Sequence, residues 1–375
     1  MTQHADDPGR RAALRGLAAT AGAAAWPAGA ATTPMPTAPT MVNSSPPAAP
    51  DGRAQPSPVH PPLRPPRLKP GDTVALFNVS GAVFERAPYE QAREALQALG
   101  FQVREAPNLR ARYGHFAGTA AQRAADFNAL VADPSVHGLV ALTGGSGAGR
   151  VLPLIDYAAI ARTPKVIAGF SDVTALLNAV QARTGLVTFH GPMGVSEWNP
   201  YSVANFKAVL MDAAPHLLRN QDERGDLPGP REHRIQTIRP GTAQGRLVGG
   251  NLAVLSALAG SAYWPRFDGA ILFLEDINEF IYRVDRMLST LQLAGALDRL
   301  AGVAIGAFTN CKPGEGYGTL TLDEVFDDYF AGLGVPVYRG AMIGHIRPKL
   351  TVPVGLPAEI DATAGTLRLL MPAVT

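Results

Sequence analysis

Downstream of residue 68 the apolar positions fall into short continuous runs separated by segments of helical spacing. Residues 73–79 form a β-rich run behind the turn Lys69-Pro70-Gly71-Asp72. Residues 89–99 carry helical spacing and stop at Gly100, and Phe101-Gln102-Val103 opens the next strand. The spacing then predicts a helix over 120–131, a strand over 138–142, and a Gly-rich turn at 144–149 with a helix or turn through Ile155. A strand over 165–169, a helix over 172–182 and a strand over 186–189 follow. Strands alternating with helices predict an α/β fold, with a doubly wound, mostly parallel sheet in an N-terminal domain over 68–215. Residues 216–235 are poor in apolar side chains and read as a connection between domains. Beyond them strand-like runs dominate, at 245–248, 269–274, 302–308, 336–338, 350–354 and 366–370, with helical segments near 282–294 and 322–329. They predict a smaller mixed C-terminal domain over 236–375 with a curved β-sheet.

The first 67 residues follow neither pattern. Gly9-Arg10-Arg11-Ala12-Ala13-Leu14-Arg15 precedes a weakly apolar Ala/Gly stretch and a cluster of small residues near 28–31. Charged, apolar and small-residue regions in that order make residues 1–30 an export signal. The paired arginines and low hydrophobicity point to the twin-arginine route and a periplasmic destination. The stretch is too short and too rich in Ala and Gly to span a membrane. Residues 31–67 are Pro, Ala, Ser and Thr with little to bury, and predict a disordered linker.

Composition narrows the chemistry. A net charge of +2 over 375 residues, with no basic run, gives nucleic acid no purchase. A single cysteine, Cys311, and eight scattered histidines give no metal-ligand spacing, so neither a metal nor a cofactor is expected.

Ser171 follows the apolar strand 165–169 and precedes the next helix, a position from which a hydroxyl can face a cleft beside helix N-terminal amides. Ser171 and Asp172 are equally good helix caps, and Val173 stands where the second Gly of a Gly-x-Ser-x-Gly elbow would be. Gly144-Gly145-Ser146-Gly147-Ala148-Gly149 lacks both the Lys-Ser/Thr of a phosphate loop and dinucleotide spacing, because Arg150-Val151 follow. Its exposed amides, with that of Asp172, fit an oxyanion hole or a plain tight turn equally well. A serine nucleophile needs a base and a group to orient it. His190 and His345 compete for the first role; Glu275, Asp276 and Glu279 are the acids at and just after the end of strand 269–274.

Taken together, these blocks resemble the LD-carboxypeptidases, a serine peptidase family that includes the microcin-immunity peptidases. The resemblance runs from Leu68 to Leu370. It rests on Leu-Lys-Pro-Gly-Asp (68–72), Phe-Ala-Gly-Thr and Arg-Ala-Ala-Asp-Phe-Asn within 116–128, the Gly-Gly turn (144–145), Gly-Phe-Ser-Asp-Val-Thr-Ala-Leu (169–176) and Gly-Leu-Val-Thr-Phe-His-Gly-Pro (185–192). In the second half it rests on Gly-Gly-Asn-Leu (249–252), Leu-Glu-Asp through Tyr-Arg-Val-Asp-Arg-Met-Leu (274–288), and Gly-His (344–345) before Lys-Leu-Thr-Val-Pro-Val-Gly (349–355). It implies a catalytic triad of Ser171, Glu275 and His345, with Gly145 and Asp172 amides as oxyanion donors. The implied reaction releases terminal D-Ala from a peptidoglycan tetrapeptide. The alternatives are an immunity-type peptidase acting on a modified peptide or aminoacyl conjugate, and a silent wall-peptide-binding protein. Many relatives have Arg before and Tyr after the Gly-Gly pair; Thr143 and Ser146 stand here. A carboxypeptidase must hold a terminal carboxylate, and Arg150, Arg283, Arg347 and Lys349 are the candidates. A homodimer is expected.

Overall fold

In the computed structural model, residues 61–221, 232–314 and 318–375 are described. The expected export signal and most of the linker lie outside them. The first half runs β1 (Thr73–Phe77), α1 (Ala87–Ala98), β2 (Gln102–Glu105), α2 (Ala120–Ala132), β3 (Gly138–Ala141), α3 (Tyr157–Arg162), β4 (Val166–Gly169), α4 (Thr174–Thr184), β5 (Thr188–His190) and α5 (Pro200–Leu210). The remainder runs β6 (Leu217–Leu218), β7 (Gln236–Arg239), β8 (Thr242–Asn251), α6 (Leu252–Ser256), β9 (Ala270–Ile277), α7 (Ile281–Leu293), β10 (Gly302–Thr309), α8 (Leu322–Phe330), β11 (Val337–Arg339), β12 (Val352–Val354), β13 (Pro357–Asp361) and β14 (Thr366–Leu369).

Two sheets result. The first has six strands in the order β12-β5-β4-β3-β1-β2, and all its pairs are parallel except β12–β5. The second has eight, β6-β14-β13-β8-β9-β10-β11-β7, with a parallel centre (β8 to β11) and antiparallel flanks. The α/β class and the mixed, curled second sheet agree with the sequence expectation. Central strands β3, β4 and β9 are buried along nearly their whole length, which is why they read as unbroken apolar runs.

Three features place the candidate site. First, α4 is apolar or small around most of its circumference, and Thr174 through Val180 are all buried. It packs against β4, β5 and β12 of the first sheet and against β8 and α6 of the second half. Thr174 Oγ1 accepts the Asn251 amide (3.1 Å), and Asn178 Nδ2 donates to the Gly249 carbonyl (2.9 Å), so buried hydrogen bonds join the halves. Second, β12 follows the segment carrying His345 and adds itself to the edge of the first sheet, Val352 opposite His190. Third, the folded body begins before Leu68. Leu63 bridges to Leu186, and the Pro65 carbonyl and Arg67 amide bond to Thr375 (2.9 Å each), so 61–67 is bound rather than linker-like. A partly buried apolar anchor, Leu63, in an otherwise Pro-rich stretch accounts for the earlier start.

Candidate active site

The turn after β4 departs from ordinary strand-to-helix geometry. Phe170 is extended, and Ser171 takes φ = 60°, a left-handed conformation rare outside glycine. A residue other than Gly held there is strained, and such strain concentrates at functional positions. Neither Ser171 nor Asp172 caps the helix: no side-chain cap bond is present at the short 3-10 turn 171–173 or at α4. The Asp172 carboxylate instead accepts the Ala148 amide (2.8 Å) and ties the Gly-rich loop to the turn. Gly144 lies so close to Ser171 that a Cβ there would stand 2.7 Å from Ser171 Cβ and Oγ. Gly145 follows at φ = 114°, with its α-carbon against Gly81 of the loop after β1. Buried Arg123 fastens the same loops, donating to the carbonyls of Val79 and Gly147. Gly145 and Asp172 thus flank Ser171 on loops at the C-terminal ends of β3 and β4, where open α/β sheets bind ligands.

The second half brings up a carboxylate and an imidazole. Glu275, on β9, is fully buried, and its Oε2 lies 2.6 Å from His345 Nδ1. A carboxylate there fixes Nδ1 as the protonated nitrogen and leaves Nε2 as the acceptor. Gly344 makes the approach possible: at φ = 115°, its Cβ would stand 2.6 Å from Glu275 Cβ and Oε2. The His345 carbonyl accepts from Thr309 Oγ1 (3.0 Å), and Ser171 is not among the residue's described hydrogen-bond partners. Contacts between nucleophile and base commonly tighten only around substrate. Phe170, beside Ser171, packs its ring 4.8 Å from the His345 ring.

The competing residues have other occupations. Asp276, on the opposite face of β9, accepts from Asn251 Nδ2, the Ala253 amide and its neighbour's amide, and so braces the start of α6. Burial nevertheless raises its pKa to about 6. Glu279 pairs with Arg283 (3.5 Å). His190 is buried among Phe170 and Phe273 with neither ring nitrogen hydrogen-bonded to a described residue, and burial lowers its pKa to about 4. Only Glu275 and His345, of the five, meet each other.

His345 opens onto a cavity of about 1570 Å³, whose wall includes Phe170, Met193, Arg347 and Lys349. Of the four candidate cations, Arg150 lies over the Phe116 ring and Arg283 faces Glu279, and neither reaches this cavity. Arg347 is largely exposed and pairs with Glu197 (3.3 Å). Lys349 is buried. Sequence reasoning overlooked Phe170, whose only signal was its place before Ser171. Among the described residues no cluster of His, Cys, Asp or Glu could hold a metal ion, and no helix is long and apolar enough to cross a membrane.

Family profiles described as the LD-carboxypeptidase N-terminal domain and C-terminal domain match residues 74–191 and 244–360. A probable murein peptide carboxypeptidase of Bacillus subtilis is 34% identical over 308 residues, covering 81% of this chain and 93% of the relative. The microcin C7 self-immunity protein MccF of Escherichia coli is 30% identical over 80% of this chain and 94% of its own length. A solved structure of MccF with glutamyl sulfamoyl guanosine matches at TM-score 0.76 and 27% identity, covering 84% of this chain and all of that one. The muramoyltetrapeptide carboxypeptidase of Oxalobacter formigenes matches at TM-score 0.68 and 27% identity, covering 79% and 97%. With both family profiles matched in order and relatives aligned over most of its length, the chain belongs to the LD-carboxypeptidase family.

Proposed function

We propose that this chain is a serine LD-carboxypeptidase that hydrolyses the L,D bond before the terminal D-Ala of peptidoglycan tetrapeptides. The observation carrying the serine mechanism is the 2.6 Å Glu275–His345 pair, with His345 on a cavity wall shared with Phe170, the residue immediately before the strained Ser171. His345 Nε2 takes the Ser171 proton as Oγ attacks the scissile carbonyl, and Glu275 holds the imidazole and stabilises its cation. The tetrahedral oxyanion rests on the amides of Gly145 and Asp172, where losing one donor typically costs ~100- to 1,000-fold in rate. The imidazolium then protonates the departing D-Ala amine, and water, deprotonated by the same imidazole, releases the acyl-enzyme. Purified protein should release D-Ala from an L,D-tetrapeptide, and Ser171→Ala should reduce kcat by at least ~10⁴-fold. Release persisting in the Ala variant would sink the serine mechanism.

A second reading, an immunity-type peptidase, is supported by the similarity to MccF and by a cavity larger than a terminal alanine requires. Turnover of an aminoacyl sulfamoyl nucleoside, with no release from muropeptide, would select it. A wall-peptide binder without activity is disfavoured by the paired Glu275 and His345. We further propose that residues 1–30 direct twin-arginine export to the periplasm and that the enzyme is a homodimer. Retention of the full chain in the cytoplasm of cells with an intact twin-arginine system would overturn the first; a monomeric mass by light scattering would overturn the second.

A further inference from the structure

Among the described residues three cations are buried: Arg123, Lys165 and Lys349. Two of them are satisfied by backbone carbonyls, Arg123 by Val79 and Gly147, and Lys165 by Leu130 and Asp133. Lys349 differs. Its ammonium sits 4.8 Å above the centre of the Phe170 ring, and no described acceptor hydrogen-bonds to it. A buried charge without a partner is costly, and where it borders a cavity it marks a site awaiting an opposite charge.

The position is held from three sides. The Lys349 amide donates to buried Ser202 Oγ (3.0 Å), the Leu350 amide closes the loop onto the Met342 carbonyl (2.8 Å), and Asn199 Nδ2 grips the Arg347 carbonyl (2.9 Å). One clamped loop therefore carries both His345 and Lys349. The Phe170 ring centre lies 4.8 Å from both the His345 ring and the Lys349 ammonium. In a carboxypeptidase substrate only the amide nitrogen and one α-carbon separate the scissile carbonyl from the terminal carboxylate. The receptor must lie close to the nucleophile, and Phe170, which lines the cavity with His345 and Lys349, immediately precedes Ser171 in the chain. The other cations of the cavity, Arg219, Arg234, Arg347 and Arg368, are exposed, and Arg347 and Arg368 face Glu197 and Glu359.

Building on the carboxypeptidase reading, we propose that the Lys349 ammonium receives the terminal α-carboxylate of the substrate and enforces cleavage at a free C-terminus. The groups near it are Glu275 on β9, Glu197 before α5, His190 on β5 and His345 on its own loop. Burial lowers its pKa to about 8 against the pull of the two glutamates, so the receptor loses its charge just above neutrality.

The test uses an L,D-tetrapeptide ending in D-Ala and its carboxamide counterpart. The wild type should favour the acid, and that preference should decline as pH rises through about 8. Lys349→Met should lower kcat/KM for the acid at least tenfold more than for the amide, mainly through KM, and an unchanged far-UV circular dichroism spectrum reports an intact fold. Arg347→Met should leave the preference in place. Equal losses on both substrates in Lys349→Met, or loss of the preference in Arg347→Met instead, would overturn the assignment. A wild type that cleaves both equally overturns it while leaving the peptidase standing, whereas one that releases neither D-Ala from the acid nor D-alaninamide from the amide overturns both readings.

Discussion

Glu275 and Asp276 are adjacent, both buried and both acidic, yet strand alternation sends them to opposite faces with opposite duties. Asp276 holds the start of α6 through three donors, and burial still outweighs them in keeping its pKa near 6. The unfolded chain titrates this residue near ~3.9, so between there and about 6 the folded protein holds the proton more tightly. Stability contributed at this site is therefore full at low pH and is lost as pH rises through about 6, by an amount on the order of 3 kcal/mol. Asp276→Asn should flatten that part of the stability–pH curve relative to wild type, measured by urea unfolding at pH 4 to 7; parallel curves would refute it. Local sequence narrowed the orienting acid only to three, because it shows alternation along a strand without showing which face meets the histidine, and it left His190 and His345 level for the same reason. The family resemblance is what singled out Glu275 and His345. A buried, unpaired imidazole and a paired one look alike in a string of letters.

At the scale of elements, the helices and strands with long apolar runs were legible, and α4 and β9 most of all, since both are buried on nearly every side. The short or polar pieces were not. β7 is largely exposed, β6 has two residues, and α5 went unread although Asn199 caps it and Pro200 opens it, as its sequence advertises. Ser171 was legible as a strand-to-helix residue, but its left-handed backbone was not, because only contacts from neighbouring loops hold it. The loop bearing His345 depends on one such contact. Gly344→Ala would force a Cβ into Glu275 at 2.6 Å and a side chain onto φ = 115°. It should reduce kcat by about 100-fold or more, as misplacement by an ångström does, with far-UV circular dichroism unchanged. Retained activity would show that the pair tolerates displacement.

Across the whole molecule two sheets are present, and the buried bonds of α4 and the strand β12 sew them together. Thr174→Val keeps the shape and removes the acceptor of the buried Asn251 amide, which should cost ~1–3 kcal/mol. A melting temperature lower by roughly 2–10 °C is expected, with activity falling in parallel as α4 loosens beneath Ser171. An unchanged melting temperature would mean that the bond contributes nothing to holding the halves.

The return of β12 to the first sheet also sets a timetable. The loop that bears His345 is fixed at its far end by a strand near the close of the chain, pairing with one laid down much earlier. Contacts so distant in sequence form late. During synthesis the serine and the buried glutamate emerge first, while the base stays unanchored until the final strands have docked. Hydrolytic competence should thus arrive as one of the last events of folding, and a partly made chain carries its nucleophile without a partner able to activate it.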